Sequence, residues 1–323
     1  MRRRDLLLLP ALGLLFFAAS ATLPHAADKV WRLGVLSLVS NPATRSAALS
    51  QLAELGFVEG RNLVVDVRVG SAEQMPTLAR ELVGTGPDVI MAESDWAVYP
   101  ARKATESIPI VASPMGADPV AVGLAESWAR PGGNVTGVTL IAPELEVKRL
   151  GLLHEVVPSA RRIAILSMHR EVTEPGEGPI RETSARLGIQ LVELYIDRPD
   201  EFDQAFAAMR SAGAEALVIV PVPEFFDHAE TLARLAVVAG LPTVCGGRRP
   251  AEQGCLIGYG PDFAELRRRA VDYVARIFRG ASAAELPIEG PTHYEFAVNL
   301  KTAKALGLTI PPSIFARTDV VIE

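Results

Sequence analysis

Apolar positions along the chain fall into two alternating kinds. Short runs rich in Val and Ile are separated by longer stretches in which apolar residues recur every three or four positions, the pattern of parallel strands joined by helices. Trp31 to Leu38 reads as a strand, Thr44 to Leu55 as a helix ended by Gly56, and Leu63 to Val69 as a second, alternating strand. Met75 to Val83 reads as helical, Asp88 to Ala92 as a buried strand, Val98 to Glu106 as a helix and Ile108 to Ala112 as a fourth strand. Asp118-Pro119 offers an N-cap and a first-turn proline, which predicts a further helix there.

The same order then restarts. Ile163 to Ser167 echoes Leu33 to Ser37, Leu187-Gly188 echoes Leu55-Gly56, Ala216 to Ile219 echoes Asp88 to Met91, and Leu241 to Val244 echoes Ile108 to Val111. Each landmark is weak alone, but all four keep a common offset of about 130 residues. The repeat predicts two similar doubly wound α/β lobes, each built on a parallel sheet, rather than one large sheet.

Open sheets of this kind hold ligands beyond the carboxyl ends of their strands, where helix N-termini also point. Two lobes with those edges facing each other make a cleft that can close on a solute. The candidate ligand contacts are therefore the residues just after strands: Ser37, Ser94, Asp95, Trp96, Ser113 and Met115 in the first lobe. Their second-lobe counterparts are Ser167, His169, Pro221, Phe225 and Gly246, with Tyr259 where the chain leaves the second copy. Ser94 and Ser113 read equally as ligand contacts and as ordinary caps. Glu93 and Asp95 suit an amine or hydroxyls, and also suit a helix N-terminus through its dipole. Trp96 offers a stacking face or a lid over the core. Of Phe225-Phe226, one ring is expected to pack inward.

Charge and composition narrow the partner class. The 323 residues carry a formal net charge of −6 with no basic stripe, which argues against nucleic acid and anionic membrane surfaces. Small solutes and proteins remain. Arg2-Arg3-Arg4, the apolar run from Leu6 to Ala19 and the small residues up to Ala27 have the order of a secretory signal peptide, predicted over residues 1–27. The run is short for a membrane span, and none is expected in the mature chain. The arginine pair leaves the general and twin-arginine export routes both open. No Cys lies near the cleavage region, so no lipid anchor on cysteine is expected. Cys245 and Cys255 fit a disulfide or two buried thiols. The sequence has no Gly-x-Ser-x-Gly elbow, His-Glu-x-x-His pair or GxGxxG fingerprint, so no nucleophile, metal or cofactor is nominated and binding without catalysis is expected.

Two further strings carry a resemblance. One is Ala129-Arg-Pro-Gly-Gly-Asn-Val-Thr-Gly137, with Asp118-Pro119-Val120 before it and Lys148-Arg149-Leu150 after it. The other is Asn299-Leu-Lys-Thr-Ala-Lys-Ala-Leu-Gly-Leu308, leading to Ile310-Pro311-Pro312 and Arg317. Together, over Val30 to Glu323, they resemble the ABC transporter substrate-binding protein family whose better-known members bind aromatic amino acids. The resemblance implies a type I periplasmic-binding-protein fold with a three-crossing hinge near Thr139, Tyr259 and Glu285. The N-terminal lobe would then comprise residues 28–139 and 259–284, and the C-terminal lobe residues 140–258 and 285–323. It also implies a periplasmic protein that captures a small molecule, an amino acid or an aromatic or polar organic solute, and delivers it to an ABC permease in the inner membrane. A periplasmic sensor for a membrane receptor and a cleft enzyme are the alternatives.

Overall fold

Residues 29–140, 142–168 and 177–323 are described in the computed structural model. The expected signal peptide lies outside them. In the first lobe, β1 (Trp31–Ser37), α1 (Pro42–Glu54), β2 (Leu63–Val69), α2 (Met75–Gly84), β3 (Val89–Ala92), α3 (Asp95–Ala104), β4 (Ile110–Met115) and β5 (Val135–Thr139) follow one another. The second lobe repeats the order with α4 (Ala142–Val156), β6 (Arg162–Met168), α5 (Glu177–Leu187), β7 (Gln190–Ile196), α6 (Phe202–Ser211), β8 (Ala216–Ile219), α7 (Pro223–Asp227), α8 (Ala229–Val238), β9 (Thr243–Cys245), α9 (Arg248–Glu252) and β10 (Ile257–Pro261). The remainder supplies α10 (Phe263–Phe278), β11 (Ile288–Glu289), β12 (Tyr294–Asn299), α11 (Leu300–Ala305), α12 (Pro312–Phe315) and β13 (Val320–Ile322).

The duplication predicted from the sequence is visible in the sheets. The first runs β11-β5-β4-β3-β1-β2 and the second β13-β12-β10-β9-β8-β6-β7, so β2-β1-β3-β4-β5 and β7-β6-β8-β9-β10 are the same arrangement. All pairings are parallel except β10 with β12. β3 and β8 are buried at every position, as strands covered by helices on both faces must be. Strand membership shows where the chain changes sheet: after Thr139, after Pro261 and after Glu289, the last of these beyond Glu285.

Caps fix the elements that frame the cleft. The Asn41 side chain accepts from the Thr44 N–H to start α1 with Pro42 in its first turn, and Asp262 accepts from Ala264 and Glu265 to start α10. From that start α10 returns to the first lobe and buries Leu266, Ala270, Val271 and Val274 against its sheet. The helix predicted at Asp118-Pro119 does not form. Asp118 Oδ1 does accept from the Val120 and Ala121 N–H groups, but Gly123 at φ 71° turns the chain after a single loop. The Ala129–Gly137 string is structural: Asn134 Nδ2 donates to the Thr105 and Ile108 carbonyls, and Thr136 Oγ1 to the Leu286 carbonyl. Gly137 has φ 120°, and a Cβ there would lie 2.4 Å from the Ala112 carbonyl oxygen, so only glycine lets β5 lie beside β4.

A buried guanidinium joins the first crossing to the second. Arg149 of α4 has 0% exposure, its Nε donates to the Tyr259 carbonyl of β10 at 2.8 Å, and its Nη1 lies 2.9 Å from Glu146 Oε1. Removing one member of such a pair leaves the other charge buried and alone. Arg149→Ala is therefore expected to lower unfolding free energy by about 3–5 kcal/mol in urea denaturation; a loss below about 1 kcal/mol would mean that the pair is not structural. Cys245 and Cys255 are bonded to each other, closing a loop around α9. Loop closure of that length stabilises by about 2–3 kcal/mol. Reduction should lower Tm by several degrees, and finding two titratable thiols in the denatured, unreduced protein would show the bond to be absent.

Candidate functional site

The carboxyl ends of both sheets face a cleft between the lobes. Ser37 ends β1, Glu93 and Ser94 follow β3, and Ser113 lies within β4; opposite them Ser167 nears the end of β6, Val220 to Phe226 follow β8, and Gly246 follows β9. The cleft has two halves with volumes of about 550 and 360 Å3. Both halves are lined by Glu93, Pro223, Phe226, Phe263 and Arg267. The partition is an aromatic contact across the lobes: the rings of Phe226 on α7 and Phe263 on α10 meet edge to face at 4.6 Å between centroids.

The larger half lies under α1. Its polar end carries Ser37, Arg45, Gly246 and Arg248, and its inner end reaches the apolar layer of Leu33, Val35 and Leu49 beneath the helix. Ser37 Oγ donates to Glu93 Oε2 at 2.6 Å. Burial raises the Glu93 carboxyl above its ordinary pKa, opposed by that hydrogen bond and by the positive charge of Arg267. Arg45 and Arg248 are held by Glu59 and Glu252.

The smaller half is walled by Trp96, Leu140, Ile165, Pro221, Val222 and Phe226, and its rim carries Ser94, Ser113 and Ser167. Ser94 has φ 71°, the one non-glycine residue with positive φ among those described. That conformation costs about 1–3 kcal/mol for a residue with a Cβ. It lets the chain turn directly from β3 into α3 while the Ser94 N–H donates to the Pro114 carbonyl. The Ser94 hydroxyl oxygen is shielded from water and has no hydrogen-bond partner among the described residues. Asp95, next in sequence, accepts from the Gly116 N–H at 2.9 Å and the Ala117 N–H at 3.2 Å, so its carboxylate clamps the end of β4 to α3. Burial raises its pKa, and the backbone donors oppose that rise.

Of the residues expected at the site, Ser37, Ser94, Asp95, Trp96, Ser113, Ser167, Pro221 and Gly246 line the cleft. Gly246 does so because a Cβ there would lie 2.3 Å from Pro221 Cβ, which forces a bare backbone where the two loops touch. Three of the expected residues do not line it. Met115 is fully buried in the core beneath α3. Phe225 is the inward ring of its pair, packed against Phe202 at 5.9 Å, and Phe226 takes the cleft position. Tyr259 stacks on Tyr294 at 6.0 Å and packs on the second lobe's core. His169 lies outside the described residues. Phe263 and Arg267 were missed. The i, i+4 spacing of Phe263 and Arg267 sets them on one face at the start of α10, which was the available signal. Among the described residues no group of three or more His, Cys, Asp or Glu side chains is placed to hold a metal ion.

Comparison with known proteins agrees with this geometry. A tyrosine-binding protein of Clostridioides difficile is 25% identical over 285 residues, covering 85% of this chain and 81% of its own. A crystal structure of a conserved domain protein from Vibrio cholerae shares 26% identity with a TM-score of 0.81, covering 91% of this chain and 100% of that one. A Streptococcus pneumoniae ABC domain in complex with L-Trp has the same fold, at 21% identity and TM-score 0.78 over 90% of this chain and 99% of its own. The fold is that of type I periplasmic binding proteins. Because the family model of ABC transporter substrate-binding proteins matches residues 32–322, nearly the whole of both lobes, the chain belongs to that family.

Proposed function

We propose that this protein is the exported solute-binding component of an ABC import system, which captures a small organic molecule between its lobes and delivers it to a permease in the inner membrane. The observation that carries the reading is the cleft itself: two strand-end edges face each other, joined by chain crossings that let the lobes hinge, with polar rims and an aromatic partition inside. Arg2-Arg3-Arg4 and the apolar run from Leu6 to Ala19 support export to the periplasm. The tyrosine-binding relative and the L-Trp complex support an amino acid or a similar aromatic solute as cargo. In this reading Trp96 and Phe226 cover the ligand's flat body from the two lobes, and Ser94, Ser113 and Ser167 meet its polar end. The moving bodies in this reading are the first sheet with α10 and β11, and the second sheet with β12 and β13, parted near Thr139, Pro261 and Glu289 rather than at Tyr259 and Glu285.

A ligand that binds only the native state adds about 2.7 kcal/mol of stability at a hundredfold excess over Kd, enough to raise Tm by several degrees. Mature protein should show that rise with its cargo, and X-ray scattering should show a smaller radius of gyration as the lobes close. Neither response to any of the proteinogenic amino acids, aromatic acids, polyols or amines would defeat the reading. Trp96→Ala should weaken ligand binding about tenfold, the scale of a lost aromatic contact plus its buried area, while leaving the unliganded Tm within a few degrees. Unchanged affinity would make Trp96 a wall residue only.

A further inference from the structure

Four arginines line the cleft, and they are not equivalent. Arg45 and Arg248 are each ion-paired to a glutamate, and Arg249 is exposed to solvent. Arg267 is different. Its guanidinium makes no hydrogen bond or ion pair with any described residue, and its Nε is shielded from water without a partner. A buried N–H of a cation left unsatisfied is costly, and such groups are retained where something outside the chain completes them. Arg267 also lies where both halves of the cleft meet, beside the Phe226–Phe263 partition.

We infer that Arg267 is the anchor for a carboxylate of the bound solute. This rests on the solute-capture reading above. The guanidinium presents a planar fork of donors that matches a carboxylate's two oxygens, and in a site closed from water that pairing is strong and directional. Glu93 stands within electrostatic reach of Arg267 yet forms no ion pair with it. The two therefore leave room for a ligand head between opposite charges. One guanidinium facing one carboxyl gives no surplus positive charge for a dianion such as a phosphate monoester. Of the other carboxylates lining the smaller half, Asp95 and Asp118 are engaged by backbone N–H groups, Glu146 by Arg149 and Glu193 by Arg181, and Glu144 is exposed to solvent. A single carboxylate on a molecule with an apolar or aromatic body satisfies this site, with its charge on Arg267 and its body between Trp96 and Phe226.

The test compares molecules that share one aromatic body and differ at the head: L-tryptophan, indole-3-propionate, L-tryptophanamide and tryptamine, with the L-tyrosine and L-phenylalanine sets beside them. Thermal shift and calorimetry are run on the mature wild-type protein, on Arg267→Gln and on Arg267→Lys. Unliganded Tm and circular dichroism establish that each variant is folded. The expected result is binding by the carboxylate compounds and not by the amide or amine. Arg267→Gln should weaken that binding about 10- to 100-fold, and Arg267→Lys should weaken it less because charge remains while the fork is lost. Equal binding of acid and amide, or wild-type affinity in Arg267→Gln, overturns the anchor and leaves solute capture standing. If the wild-type protein binds only uncharged compounds such as polyols, the anchor is likewise overturned. If it binds nothing in either panel, the capture reading itself falls.

Discussion

The tie between Arg149 and the Tyr259 carbonyl is the interaction on which the two-lobed arrangement depends. It spans the point where the chain has just entered the second lobe and the point where it is about to leave, so it holds the first two crossings at a fixed separation. A charge with no exposure tolerates that position only because Glu146 and a backbone oxygen both meet it. The neighbourhood is shaped to admit it: a Cβ on Gly260 would lie 3.3 Å from Arg149 Nη2 and closer still to the backbone of Gly246. Glu146 in turn lines the smaller half of the cleft, so the lock on the hinge and the wall of the binding space share a residue. A solute that pressed on that wall would press on the hinge.

Strand ends were legible in the sequence because they follow from local rules. Apolar β-branched runs, helix-ending glycines and the common offset located β1 to β4 and their counterparts β6, β8 and β9, and position after a strand picked out Ser94, Trp96, Ser113 and Ser167 without reference to anything distant. Errors arose where a local signal was answered by a neighbour. Asp118 capped a turn instead of a helix because Gly123 reversed the chain. Asp95 lines the cleft as expected, with both oxygens also accepting from the backbone at the adjacent strand end. Tyr259 found a flat partner in Tyr294 on an antiparallel strand that the sequence reading did not pair with it.

Arg267 and Phe263 were illegible for a different reason. They sit on a stretch that the resemblance assigns to the first lobe, and they line the cleft because the start of α10 follows directly on the crossing after Pro261. No window of sequence contains both Phe263 and its partner ring Phe226. The disulfide stood between these cases: two cysteines permitted it, and the turn around α9 supplied the approach that composition could not.

The order in which the chain visits its lobes also has a consequence in time. The first lobe's core includes Leu266, Val271, Tyr273, Val274 and Phe278 of α10, with Leu286 just before β11, so the lobe synthesised first lacks part of its interior until nearly nine-tenths of the chain exists. Contacts so distant in sequence form slowly, because a long loop must close before any of them is made. A growing chain of this connectivity stays open until late in its synthesis. That delay is the condition under which a chain can still be threaded through a narrow channel before it folds.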